Sequence, residues 1–249
     1  MPANVRLITM LAERASENFI VYGTVRELAK RTDLIISHKH RFIFFAVPKT
    51  ATHAIRQALR EHMGPDDWEQ QVLFGKQSLP IPEIAKIRHG HISVRQIRPH
   101  ITAQVWDTYF KFCFVRNPFD RYVSTCFFLN RSNPNFSASA VSFMKQALSR
   151  QQFRQRILVQ PQVMQLQDTD DEIALDYVGR YETVQQSYDE ICERIGIPAT
   201  DLARKNPSRH AAYADYYDDE LRGIVGEFYK DDLASLGYGF APSDQLAGS

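Results

Sequence analysis

RFIFFAVPKTATHAIRQALREHMG, residues 41–64, holds the transition from which the fold is read. RFIFFAV (41–47) is a nearly continuous apolar run, the pattern of a strand buried on both faces of a parallel sheet. After a short polar turn, Ile55, Ala58, Leu59, His62 and Met63 line one helical face, and Gly64 is a natural stop. Strand, turn and helix in that order put the helix's unpaired N–H groups and positive dipole end above the strand terminus. That is an anion site. Lys49 adds a full charge, and Thr50 and Thr52 add hydroxyls. Against the Walker A pattern the Lys-Thr pair is present and both glycines are missing. An ordinary βα turn with a solvated lysine therefore also fits.

FCFVRNPFDRYVSTCFF (112–128) supplies the second half of the reading. A strand over YFKFCFV (109–115) runs into Arg116, then Asn117 as N-cap and Pro118 as first helical residue. A Walker B strand would end in an aspartate that holds magnesium. Arginine ligates no metal and keeps its proton, and its planar fork suits bidentate phosphate recognition. Ser124 follows eight residues later, placed for its hydroxyl to reach the same phosphate. Asp120 and Arg121 are assigned to the helix start and to surface pairing. The bland alternative is an arginine capping a strand and a serine facing solvent.

A third strand is expected over EIALDYVGRYE (172–182), with helices over 138–158, over 183–195 before Gly196, and over about 215–235. Recurring strand–turn–helix units predict an α/β fold: three layers, P-loop-like, with a mostly parallel central sheet flanked by helices. Ligands of such sheets lie at strand C-terminal ends, where both Lys49 and Arg116 stand. The whole chain, 1–249, is expected to form one domain. Residues 1–35 read as an N-terminal helical extension and a candidate homodimer contact. Residues 65–88 and 130–160 are the expected acceptor-side segments.

The formal net charge of +1 gives no basic excess, so no nucleic-acid partner is expected and any anion site is local. Cys113, Cys126 and Cys192 are widely spaced, form no CxxC pair and no Cys/His cluster, and read as core residues. No metal site is expected. The first residues mix charged with apolar side chains, unlike a signal sequence or a membrane span, which points to a cytoplasmic protein.

Two anion sites on neighbouring strand ends imply a nucleotide with phosphates at separate positions. VPKTATHAI followed by FVRNPFDRYVS resembles the paired 5′-phosphosulfate and 3′-phosphate loops of the sulfotransferase superfamily. Those enzymes use 3′-phosphoadenosine 5′-phosphosulfate (PAPS) as donor. The likeness is nearest to carbohydrate sulfotransferases, in particular the heparan sulfate 2-O-sulfotransferase group, whose first loop likewise reads Pro-Lys-Thr-Ala. VQPQVMQLQD (159–168), VGRYETVQQSYDEIC (178–192), KNPSRHAAY (205–213) and YKDDLASLGYGF (229–240) resemble later blocks of the superfamily. The resemblance implies that Lys49 contacts the sulfuryl group and 5′-phosphate, and that Thr50 and Thr52 bind the 5′-phosphate. Ala51 and His53 complete that turn. His53 stands where many members carry a hydroxyl or another small residue, and its ring N–H is a substitute donor. Arg116 and Ser124 would hold the 3′-phosphate.

Sulfuryl transfer to a hydroxyl needs a proton acceptor, and histidine titrates close to working pH. RHGHISVRQI (88–97) resembles the His-Gly-His segment of the same group. That likeness implies His91 as base and His89 as a second active-site histidine. Alternatively, one imidazole caps the helix starting near Ser93. Glu182 is assigned to a pair with Arg180, and Trp106 to the core. The acceptor implied is a hydroxyl of a carbohydrate. Two other readings share the residues: a P-loop kinase, which requires a metal and a carboxylate at a strand end, and a nucleotide-binding protein of the same fold without turnover.

Overall fold

The computed structural model describes residues 34–69, 81–85, 87, 89–202 and 211–240. The expected N-terminal helix, most of 65–88 and the KNPSRH stretch with His210 lie wholly or largely outside them.

Five strands form one sheet in the order β3-β1-β2-β4-β5. They are β1 (Ile35–Ser37), β2 (Phe42–Phe45), β3 (Trp68–Glu69), β4 (Phe110–Val115) and β5 (Tyr177–Arg180). β2 pairs with β4, and β4 with β5, in parallel. β1 pairs antiparallel with both β2 and β3. The sheet is thus mixed rather than mostly parallel. Its parallel part holds the predicted strands, and the antiparallel edge comes from two- and three-residue strands too short to show a period.

Alternation along β2 and β4 sends side chains to opposite faces. Ile43, Phe45, Val47, Cys113 and Val115 meet Ile97 and Trp106, with Leu166 and Leu236, on one face. Phe42, Phe44, Phe112 and Phe114 meet Ile55, Leu59, Tyr188 and Ile191 on the other. Helices α1 (Thr52–Arg60) and α9 (Val184–Ile195) cover this second face. Short helices α3 (Val94–Ile97) and α4 (Ala103–Thr108), with α8 (Val163–Leu166) and α11 (Lys230–Leu236), cover the first. Helix α2 (Pro82–Ala85) adds Ile84 to that side. A third apolar cluster joins α5 (Pro118–Leu129), α6 (Phe136–Ala147), α7 (Gln151–Arg154) and α10 (Asp219–Phe228). Burial pushes all three cysteine thiols above their ordinary range, so they are core side chains and not nucleophiles.

Three expected elements are divided or shortened. β5 begins only at Tyr177, because the Asp176 carboxylate, not a main-chain carbonyl, takes the N–H of Lys111 at 2.7 Å. The helix expected over 138–158 becomes α6 and α7, and the break lets both Leu148 and Phe153 enter the third cluster. The last helix breaks at Tyr229, whose buried hydroxyl donates to the Val159 carbonyl at 2.6 Å.

The β1–β2 hairpin is held from outside. Buried Asp67 accepts from Ser37 Oγ at 2.6 Å and from the N–H groups of His38, Lys39 and Gly64 at 2.7, 3.0 and 2.9 Å. Burial pushes its carboxyl up, but the four donors outweigh it and leave the group below the usual range. The stabilisation is therefore present above the ordinary carboxylate pKa and is lost as pH falls through the depressed folded value.

The β2–α1 turn achieves without glycine what glycine usually provides. Lys49 and Ala51 are left-handed, with φ of 70° and 61°. That conformation costs an L-residue about 1–2 kcal/mol. Thr50 and Thr52 counter it by donating their hydroxyls to the Val47 carbonyl at 2.9 and 2.8 Å.

Two substitutions test these local arguments. Asp67→Asn should lower stability by roughly 1–3 kcal/mol at neutral pH and flatten the acid limb of the stability–pH curve below about pH 4. An unchanged acid limb would show that the carboxylate stores no folding energy. Ala51→Gly should raise the urea midpoint by the equivalent of roughly 0.5–1 kcal/mol, and Ala51→Val should lower it. Equal midpoints for both variants would contradict the strained turn.

Candidate active site

The parallel register of β2 and β4 pairs Phe45 with Cys113, so the turns that follow the two strands lie side by side. Arg116 Nη1 donates to the Lys49 carbonyl at 3.3 Å and joins them directly. Lys49 and Arg116, 67 residues apart in the chain, thus meet at one place.

In the first turn the N–H groups of Thr50 and Ala51 have no acceptor among the described residues. Helix α1 has no acidic residue in its first turn and no side-chain cap. Its positive end is uncompensated by its own sequence, as an anion site requires. The Lys49 ammonium lies 4.4 Å from the centre of the Phe128 ring, which fixes its aliphatic stem across the end of α5. Thr50 and Thr52 face inward onto Val47, so their hydroxyls shape the turn here and reach a ligand only by giving up that carbonyl. His53 is exposed on α1.

In the second turn Arg116 is 4 % exposed. Its Nε and Nη2 grip the Asp120 carboxylate at 2.7 and 2.8 Å, and the Tyr181 ring covers the guanidinium at 4.1 Å. A phosphate held by Arg116 must share it with Asp120. Ser124 lies one helical turn beyond Asp120 on the same face of α5. It is 8 % exposed, and its hydroxyl has no partner among the described residues.

Several groups around Arg116 are not evident from the sequence. Gln162 accepts from the Arg116 N–H at 3.0 Å and donates to its carbonyl at 2.9 Å. Buried Asp232 holds Gln162 in turn. Glu182 does not pair with Arg180. It accepts from the Asn117 N–H at 2.7 Å and from the Tyr238 hydroxyl at 2.9 Å, while Arg180 donates to the Leu236 carbonyl. Arg121 makes no surface pair either. It is 1 % exposed, donates to the carbonyls of Leu158 and Gln160, and faces Asp232 at 4.0 Å. An R-x-x-x-x-R pattern carries no signal that one guanidinium faces a cleft and the other the interior.

His91 comes to the same strand end. Its Nδ1 lies 2.8 Å from the carbonyl of Ala46, the residue after β2. A carbonyl only accepts, so Nδ1 carries a hydrogen, and in the neutral ring that leaves the lone pair on Nε2. The Gln165 side chain donates to the His91 carbonyl at 3.0 Å and braces the segment. His89 stacks near it, ring centres 6.5 Å apart. Neither imidazole caps α3, because Ser93 does so with a full capping box to Gln96. His38 is hydrogen-bonded to Tyr109 and meets Trp68 edge-on at the hairpin, and Trp106 packs into the core.

No group of three or more His, Cys, Asp or Glu side chains suited to a metal occurs among the described residues, and no helix there is long and apolar enough to cross a membrane.

Comparison with known proteins identifies the family. The profile of the sulfotransferase family matches residues 32–239, which span β1 to the segment after α11. An uncharacterised protein of Archaeoglobus fulgidus is 26 % identical over 107 residues, covering 41 % of this chain and 80 % of its own length. No solved structure gives a significant match. With its matched region containing every strand of the sheet and both strand-end turns, the chain belongs to the sulfotransferase family.

Proposed function

We propose that the protein moves a sulfuryl group from PAPS to a hydroxyl of a carbohydrate-type acceptor, on a P-loop-like three-layer framework. The observation that carries the reading is the convergence of three groups on the ends of β2 and β4. Arg116 is bonded to the Lys49 carbonyl, and His91 to that of Ala46. The donor set fits a nucleotide with two separated anionic ends: Lys49 and the open N–H groups of Thr50 and Ala51 at one, Arg116 and the unpartnered Ser124 hydroxyl at the other.

When bound, PAPS supplies the activated sulfuryl group and the 3′,5′-bisphosphate leaving group. Arg116 and Ser124 hold the 3′-phosphate and so set the register of the donor. Lys49 faces the 5′-side and neutralises charge that grows on the bridging oxygen as the S–O bond breaks. His91 Nε2 accepts the acceptor's proton as its oxygen bonds to sulfur, and the Ala46 carbonyl stabilises the ring that has gained it. His89 stands beside that ring and orders the acceptor side. Residues 130–160 shape the acceptor side.

Three variants separate these roles when transfer from PAPS and calorimetric binding of adenosine 3′,5′-bisphosphate are both measured. His91→Ala should lower kcat by about 10²–10⁴ with nucleotide affinity retained. Lys49→Ala should lower kcat by about 10²–10³, with a smaller effect on affinity. Arg116→Ala should weaken the nucleotide by roughly 10–100-fold. Normal turnover by His91→Ala on a competent acceptor would remove it as the base. Transfer abolished by a chelator would favour a metal-dependent phosphotransferase instead.

A further inference from the structure

The backbone of Arg116 is anchored by a side chain and not by a strand. β5 pairs with β4 only as far as Val115, opposite Arg180, and β2 pairs with it only as far as Cys113, opposite Phe45. One residue further on, the Gln162 amide takes the place of a neighbouring strand. It accepts from Arg116 N–H and donates to Arg116 C=O at 3.0 and 2.9 Å. Its second amide hydrogen goes to Asp232 Oδ2 at 3.1 Å, and the same carboxylate accepts from the main-chain N–H groups of Gln162 and Val163, each at 2.9 Å. Gln162 and Asp232 are both 0 % exposed.

Every atom of the amide is therefore assigned. Turning it over would set NH₂ against the Arg116 N–H and oxygen against both a carbonyl and a carboxylate. Glutamate cannot replace it, because a second carboxylate would face Asp232 in the dry interior. Asp232 belongs to α11 and also faces Arg121, so the C-terminal helix reaches the end of β4 through two buried side chains.

We propose that Gln162 and Asp232 are positioning residues for the 3′-phosphate site: the clamp fixes the Arg116 backbone so that its guanidinium stands where Asp120, Tyr181 and the Lys49 carbonyl hold it. The proposal rests on the reading of Arg116 as the 3′-phosphate residue. Neither residue touches the nucleotide. Their loss should act chiefly on the 3′ end, because the β2–α1 turn is built on Val47 and meets Arg116 only through the long bond to the Lys49 carbonyl.

The test compares two nucleotides on the full chain by calorimetry: adenosine 3′,5′-bisphosphate and adenosine 5′-phosphosulfate, which lacks the 3′-phosphate. Gln162→Met, similar in size but unable to pair, should weaken the bisphosphate by about tenfold or more and the phosphosulfate by less than about twofold. Asp232→Asn should show the same selectivity in smaller measure. Gln162→Asn, a milder shortening, replaces the methionine variant if that does not fold. Parallel loss for both nucleotides, no loss for either, or failure of the asparagine variant to fold would make the pair purely structural and overturn the proposal. Unmutated protein that binds neither nucleotide would sink the underlying reading itself, a result distinct from an unselective variant.

Discussion

The parallel register between Phe42–Phe45 and Phe110–Cys113 is the constraint on which the proposed site depends. It brings two strand ends side by side, and each carries a cation and a helix start. Without it, Lys49 and Arg116 are two unrelated residues on separate loops. The aromatic side chains of the two strands secure the pairing, since Phe44 and Phe112 meet at 5.4 Å and Phe42 and Phe112 at 5.6 Å, all fully buried. Burying four phenylalanines on one face of two strands is worth about 1.5–3 kcal/mol each. The two strand ends are thus held by a buried aromatic layer.

On that base, the two turns solve the same problem differently. The first accepts left-handed backbone at Lys49 and Ala51 and compensates with two threonine hydroxyls on one carbonyl. Strain of this kind persists only where surrounding contacts enforce it, and it gathers at functional sites. The second turn uses ordinary backbone and borrows distant side chains: Gln162 on Arg116, Glu182 on Asn117, and Asn117 in turn on the Gly239 carbonyl. The C-terminal segment is consequently part of the second turn's construction, although it adds no strand to the sheet.

What was legible in the sequence follows from locality. The strand at 41–47 and its turn, the strand ending at Arg116, the helix opened by Asn117-Pro118 and the stop at Gly196 are all written in neighbouring residues, and the structure has them. β1 and β3 were illegible, since their pairing depends on the long-range stitch at Asp67. The same holds around the site. Lys49, Arg116 and the His89–His91 segment can be singled out by residue type and position. The inward turn of Arg121 and the roles of Gln162, Glu182 and Asp232 depend on contacts between residues distant in the chain. A glutamine carries no marker that tells a buried clamp from a surface side chain.

The central claim is that one nucleotide spans both turns, and a crystal structure with adenosine 3′,5′-bisphosphate bound tests it most directly. The account predicts a single molecule with its 5′-phosphate on the main-chain N–H groups of Thr50 and Ala51 beside Lys49, and its 3′-phosphate on Arg116 and Ser124. A nucleotide with either phosphate lodged elsewhere, or two molecules each filling one turn, would contradict it.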